Sequence, residues 1–223
     1  LAISAKDLVT PLWSMSLKLT PAVFTILAIW LDVVVLHTRL LELSVTEVSQ
    51  EFLLIVCAVM FLTAPAPLER RGLNYLSAGF FGCLLMRELD GLLDPLGHST
   101  WCVPFTIVGM SALYMSLKPA YRQGTLPALV SFARTPSFAT LSTGFGVLMF
   151  SRVFGMGVLW HQILGPGYSR LAKTAVEEGL ELLSYGFWCT AAIEWRMYQI
   201  QHTEPIYSNA SIDLNPVDDI PVR

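Results

Sequence analysis

Carboxylate, imidazole and guanidinium groups recur inside or beside the apolar stretches of this 223-residue chain. They collect toward one end of the predicted bundle: Asp32, His37, Glu47, Glu51, Arg87, Glu88, Asp90, His98, His161, Glu177, Glu178 and Glu181. Charge in a bilayer is costly, so it marks a pathway, a pocket or a buried pair. Imidazoles with carboxylates are also metal-ligand chemistry. A divalent metal here would draw on His37, His98, His161 and Glu181, and a haem on His37 and His161. No HxxxH, HxH or ExxH spacing is present, so the fold itself must bring such ligands together.

The residues that matter must be placed by helices. Hydrophobic residues make up 54% of the chain and charged residues 14%, whereas about 25% charged is usual for a soluble domain. Mean hydropathy is +0.57. Six apolar stretches cover roughly 20–40, 46–66, 72–93, 101–117, 136–164 and 175–198. Each is long enough to cross a hydrocarbon core of about 30 Å as a helix. The expected fold is therefore all-α, a polytopic transmembrane bundle of six helices. Residues 1–19 form an N-terminal interfacial segment, 20–198 the six-helix domain and 199–223 a polar acidic tail whose composition predicts disorder.

Basic residues give the orientation. Lys6, Lys18, Arg70, Arg71, Lys118, Arg122, Arg134, Arg196 and Arg223 fall on one side; Arg39, Arg170 and Lys173 fall on the other. The positive-inside rule then puts both termini in the cytoplasm and the charged cluster outside. No basic patch of nucleic-acid type occurs. The fourth loop, about 118–135, includes a candidate interfacial helix, PALVSFAR.

Within the cluster, the residues divide by what explains them. Ser44-Val45-Thr46-Glu47 and Thr174-Ala175-Val176-Glu177 each read as a capping box. Glu178 also suits the start of a helix. Glu47 and Glu51 share a helix face, where like charges repel and need compensation. Arg87 and Asp90 are i,i+3 neighbours that predict an ion pair. Asp32 and Arg152 lie deep in their spans at similar depth and are expected to pair or share a network. Glu181 lies a turn beyond any cap, on a stripe with Ser184, Tyr185, Trp188, Ala192 and Trp195. The ligand or relay candidates are therefore Asp32, Arg87, Asp90, Arg152, Glu178 and Glu181. Gly144, Gly146, Gly155 and Gly157 are expected to permit close helix contact. The four cysteines read as small buried hydrophobes, with Cys83 and Cys102 near one membrane face. No spacing identifies a catalytic residue.

The run RELD at 87–90, His98 before the fourth span and EEGLELLSY at 177–185 are similar to a pattern in uncharacterised bacterial multi-pass membrane proteins, over roughly 20–198. The resemblance implies a bacterial inner-membrane protein and carries no activity. Alkaline-ceramidase-like membrane hydrolases also gather His and acidic residues at a membrane face, but their paired HxxxH is absent here. Three functions are weighed: an accessory or binding protein whose 199–223 tail docks on a larger membrane complex; an ion, proton or small-solute carrier; and a metal-dependent hydrolase acting on lipid at the outer leaflet. The lipid bilayer is the partner common to all three.

Overall fold

A long C-terminal helix packs against three of the others. The computed structural model describes residues 5–38, 40, 44–93, 97 and 99–210. Among these the fold is helical throughout, without strands. In chain order the helices are α1 (Ala5–Trp30), α2 (Val45–Leu62), α3 (Arg71–Glu88), the single turn α4 (Asp90–Leu93), α5 (Cys102–Leu117), α6 (Arg122–Ala133), α7 (Pro136–Phe154), α8 (Gly157–Leu164) and α9 (Arg170–Ala210). Helix α9 packs most closely on α7, then on α2 and α1, while α2 also packs on α3 and α3 on α5.

Three helical segments have both the length and the apolar character to cross a membrane: Pro11–Leu36, Val45–Leu62 and Pro136–Phe154. Cys102–Leu117 is apolar but shorter. The outer surface is greasy, with Trp13, Ile26, Phe52, Ile107, Tyr114 and Met149 among its exposed side chains. The interior holds polar groups such as Asp32, Thr46, Gln50, Asn74 and Glu181. A soluble domain rarely presents so much contiguous apolar surface, and the surface is compatible with a membrane protein.

Several expected boundaries move. The segment before residue 20 is not separate: α1 runs through it from Ala5. Past Trp30 the helix loosens into a wider π turn over Leu31–Leu36, and His37 closes it in the left-handed region at φ 51°. The stretch 136–164 is two helices rather than one. Met156 adopts extended backbone at ψ 112°, and the Trp160 indole donates to the Phe154 carbonyl at 2.5 Å, holding α8 against the end of α7. Helix α6 supplies the expected fourth-loop helix, turning Ala128 and Phe132 inward and leaving Leu126, Leu129 and Val130 exposed. Helix α9 continues well past residue 198 to Ala210, and residues 211–223 of the expected tail lie outside the described residues.

Aromatic side chains fill the core at mid-height. Trp188 and Trp195 of α9 are buried, and Phe61, Phe81, Phe132, Phe145 and Tyr185 pack around them. Buried indole N–H groups need acceptors, and Trp188 donates to the Leu141 carbonyl at 3.1 Å. Cys57 and Cys189 lie buried in the same core, and all four cysteines are free thiols, so no Cys83–Cys102 bridge forms.

Three glycine contacts set the spacing of α9 from its neighbours. A methyl group at Gly144 would sit 2.6 Å from Trp188 Cδ1 and 3.0 Å from the Ser184 carbonyl. On the other face of α9, Gly179 meets Ile29 and Gly186 meets Pro21. The face opposite the polar stripe therefore packs on α1. Gly146 and Gly157, expected to make contacts, face open space instead. Gly144→Ala should lower stability by about 1–3 kcal/mol through overpacking. Gly146→Ala should leave it unchanged or slightly raised. A thermal melt of both variants in detergent checks this; equal destabilisation would contradict the assigned packing.

Candidate functional site

Asp32 sits in the π turn with no solvent exposure. Its carboxylate accepts from the Val45 amide at 2.9 Å, the Thr46 amide at 2.7 Å, the Thr46 hydroxyl at 2.7 Å and the Thr38 hydroxyl at 3.0 Å. The two amides are among the free donors that open every α-helix, here those of α2. Ser44 adds its own acceptor to the Glu47 amide at 3.2 Å, so the expected box supplies one bond of the same cap. The anionic carboxylate also suits the positive end of the helix dipole. The expected Asp32–Arg152 pair is not formed, because both Asp32 oxygens are taken by this cap.

Arg152 pairs instead with Glu181, Nη1 to Oε1 at 3.1 Å. Glu181 is 4% exposed, while the Arg152 side chain keeps 39% of its surface. The pair links α7 to α9 and neutralises a carboxylate that the bundle has withdrawn from water. Arg152 Nη2 is buried without a hydrogen-bond partner among the described residues.

Around this pair stands a set of glutamates. Glu178 accepts from Gln50 Nε2 at 3.1 Å, and the same amide donates to the Glu178 carbonyl at 3.1 Å. That double contact ties α2 to α9 through a buried glutamine. Glu88, at the end of α3, accepts from the Tyr185 hydroxyl at 2.7 Å and from Arg87 Nη1 at 3.2 Å. Glu88 also lies within electrostatic reach of Glu51, Glu178 and Glu181. Among the described residues, the mouth between α2, α3, α7 and α9 thus gathers Glu51, Glu88, Glu177, Glu178 and Glu181 against Arg87, Arg152 and Lys173.

Two local pairings differ from expectation. Arg87 bonds to Glu88 rather than Asp90, because α3 ends at Glu88 and Asp90 begins a separate turn. Asp90 Oδ1 is buried with no hydrogen-bond partner among the described residues. Thr174 is not a cap, because α9 starts at Arg170. Ser169 takes that place, accepting from the Ala172 amide at 3.4 Å. Glu177, now inside the helix, pairs with Lys173 at 2.8 Å. Gly155 gives its carboxylate room: a methyl there would come within 2.3 Å of Glu177 Oε1.

Among the described residues, the outer histidines His37 and His161 each bond to a carbonyl of their own segment. His37 Nδ1 lies 3.1 Å from the Val33 carbonyl and therefore donates to it. His161 Nδ1 does the same to Gly157 at 2.8 Å, and its ring stacks on Tyr168 at 3.9 Å. His98 lies outside the described residues. Among the described residues no three His, Cys, Asp or Glu side chains are arranged to hold a metal ion. Neither the metal set with Glu181 nor a haem between His37 and His161 gains support from this arrangement.

Three participants escaped the sequence reading as site residues. Gln50 and Glu88 were visible only as polar residues near helix ends; the contacts that make them matter come from α9. Glu194, at the other end of the bundle, accepts from the Thr140 hydroxyl at 3.0 Å and lies 3.9 Å from Lys18. It is thirteen residues from Glu181, or about 20 Å along the helix.

Below the mouth the way is filled. One turn along α9 from Glu181 comes Tyr185, then Trp188 and Trp195, with Leu54, Phe61 and Phe81 closing the other side; all are essentially buried. The site is thus a charged recess over an aromatic floor. Comparison with family models, with characterised proteins and with solved structures finds no match to this chain.

Proposed function

We propose that the protein is an integral membrane accessory or binding protein whose glutamate-rich mouth receives a cationic group, a lysine or arginine, of a partner chain. The observation that carries this reading is the gathering, among the described residues, of five carboxyl groups against three basic ones, with Glu178, Glu88 and Glu181 bonded to Gln50, Tyr185 and Arg152. In this reading six helices cross a bacterial inner membrane, both termini are cytoplasmic, and residues 199–223 add a second contact with the same complex. The aromatic floor weighs against carriage of an ion, a proton or a small solute through the bundle. A metal-dependent lipid hydrolase would need ligands gathered at one point, and among the described residues no three His, Cys, Asp or Glu side chains are so gathered.

The test removes charge without removing hydrogen bonds. In Glu51→Gln/Glu88→Gln/Glu178→Gln, the amide oxygens at 88 and 178 still accept the bonds from Tyr185 and Gln50. After extraction in mild detergent, light scattering should give the wild type a mass well above the chain's 24.7 kDa. The triple variant should lose that excess while its melting temperature stays unchanged. Equal masses for the two proteins would overturn the reading.

A further inference from the structure

At the lysine- and arginine-rich end, the last residues of α2 and the first turn of α3 enclose a polar recess of about 320 Å³. Thr63, Ala64, Pro65, Arg71, Asn74 and Tyr75 line it. Asn74 is 2% exposed. Its Nδ2 donates to the Ala64 carbonyl at 2.8 Å, which fixes the amide, and Oδ1 is buried without a donor among the described residues. Arg71 is exposed, and among the described residues it makes one long hydrogen bond, Nε to the Ala66 carbonyl at 3.5 Å. Arg196 approaches the rim, donating to the Thr63 hydroxyl.

Leu62 and Tyr75 line this recess and also a second space, an apolar groove of about 340 Å³ between α2, α3 and α5. The groove passes Ala58, Ala78, Gly79, Val108 and Ala112. Along all three helices it leads away from the recess: back one turn on α2, forward one turn on α3, and back from Met115 to Val108 on α5. Its small side chains leave a channel on a surface otherwise covered by large ones.

A polar, basic recess that adjoins an apolar groove at Leu62 and Tyr75 matches an amphiphile. We propose that this is a binding site for one phospholipid of the lysine- and arginine-rich leaflet. Its phosphate sits on Arg71, a hydroxyl or ammonium of its head group donates to Asn74 Oδ1, and an acyl chain lies in the groove. Charge complementarity selects the head, because a guanidinium binds a phosphate oxygen in a charge-assisted bond. The orphaned Oδ1 selects a head with a donor, because an unsatisfied buried acceptor is costly. The groove selects a lipid over a free phosphate ester.

The experiment is native mass spectrometry of delipidated protein with added lipid. Phosphatidylglycerol offers an anionic head with hydroxyl donors, phosphatidylcholine lacks both, and sn-glycerol 3-phosphate is the head without chains. One phosphatidylglycerol should bind saturably and more tightly than phosphatidylcholine. Arg71→Gln should weaken it about tenfold. Ser111→Trp, at an exposed position lining the groove, should also weaken it, without touching the recess. Equal binding of the two lipids, unaltered by either variant, would overturn the site as a mere lipid annulus. Glycerol 3-phosphate binding as tightly as the lipid would overturn the acyl-chain assignment.

Discussion

Asp32→Ala should destabilise the bundle more than any other single carboxylate change, by about 3–5 kcal/mol. The carboxylate satisfies two amides and two hydroxyls at once. Alanine leaves the Val45 and Thr46 amides, the latter buried, without acceptors. Each orphan costs about 1–3 kcal/mol, and loss of a helix cap alone costs about 0.5–2 kcal/mol. Asp32→Asn should fall between, because one oxygen remains and the new amide group confronts donors. Thr46→Val, which removes a single hydroxyl bond, should cost about 1 kcal/mol. Thermal unfolding in detergent gives the ranking. Hydrogen exchange gives the place: protection should drop in the first turn of α2 before anywhere else. Uniform loss of protection across α7 and α9 would point to a different role for Asp32.

Arg152→Ala should be nearly as harmful, because it strands Glu181. Breaking a buried pair from one side costs about 3–5 kcal/mol, and the 39% exposure of the Arg152 side chain places the expected loss toward the low end. Replacing both partners should recover most of it. Arg152→Met/Glu181→Gln removes the stranded charge and keeps the volume, and such replacements are often neutral. A double-mutant cycle of Arg152→Ala with Glu181→Gln should show coupling of about 0.5–3 kcal/mol. The same cycle with Asp32→Ala should show none, since Asp32 and Arg152 share no partner. Strong Asp32–Arg152 coupling would restore the network that sequence depth alone suggests.

These two residues also show what a sequence reveals. Depth in an apolar stretch identified Asp32 and Arg152 as groups that must be satisfied. It carried no information on the partner. Asp32 reaches a helix start thirteen and fourteen residues on, because a π turn and a left-handed His37 fold the chain back. The Ser44 cap was legible because its bond spans three residues. Thr174 offered the same local signal and was not used, because Ser169 caps α9 a turn earlier. The polar stripe of α9 was legible from its 3.6-residue period, and Glu181, Ser184, Tyr185 and Trp188 do face inward. What each of them touches depends on α2, α3 and α7, and no local pattern encodes that. Likewise, all-helical architecture followed from apolar length, whereas the break at Gly155 and Met156 depended on a tryptophan folding back on Phe154.

The account turns on whether the glutamate-rich mouth meets another polypeptide in the membrane. A photo-crosslinking side chain at Leu92 tests this most directly. Leu92 lies on α4, just past Glu88, and is 55% exposed. Irradiation of intact membranes should yield one adduct of defined higher mass. That adduct should vanish in Glu51→Gln/Glu88→Gln/Glu178→Gln, and it should not form from the same probe at Tyr114 on the greasy outer surface of α5. An adduct that survives the charge changes, or no protein adduct at Leu92 at all, would contradict the binding role assigned to the mouth.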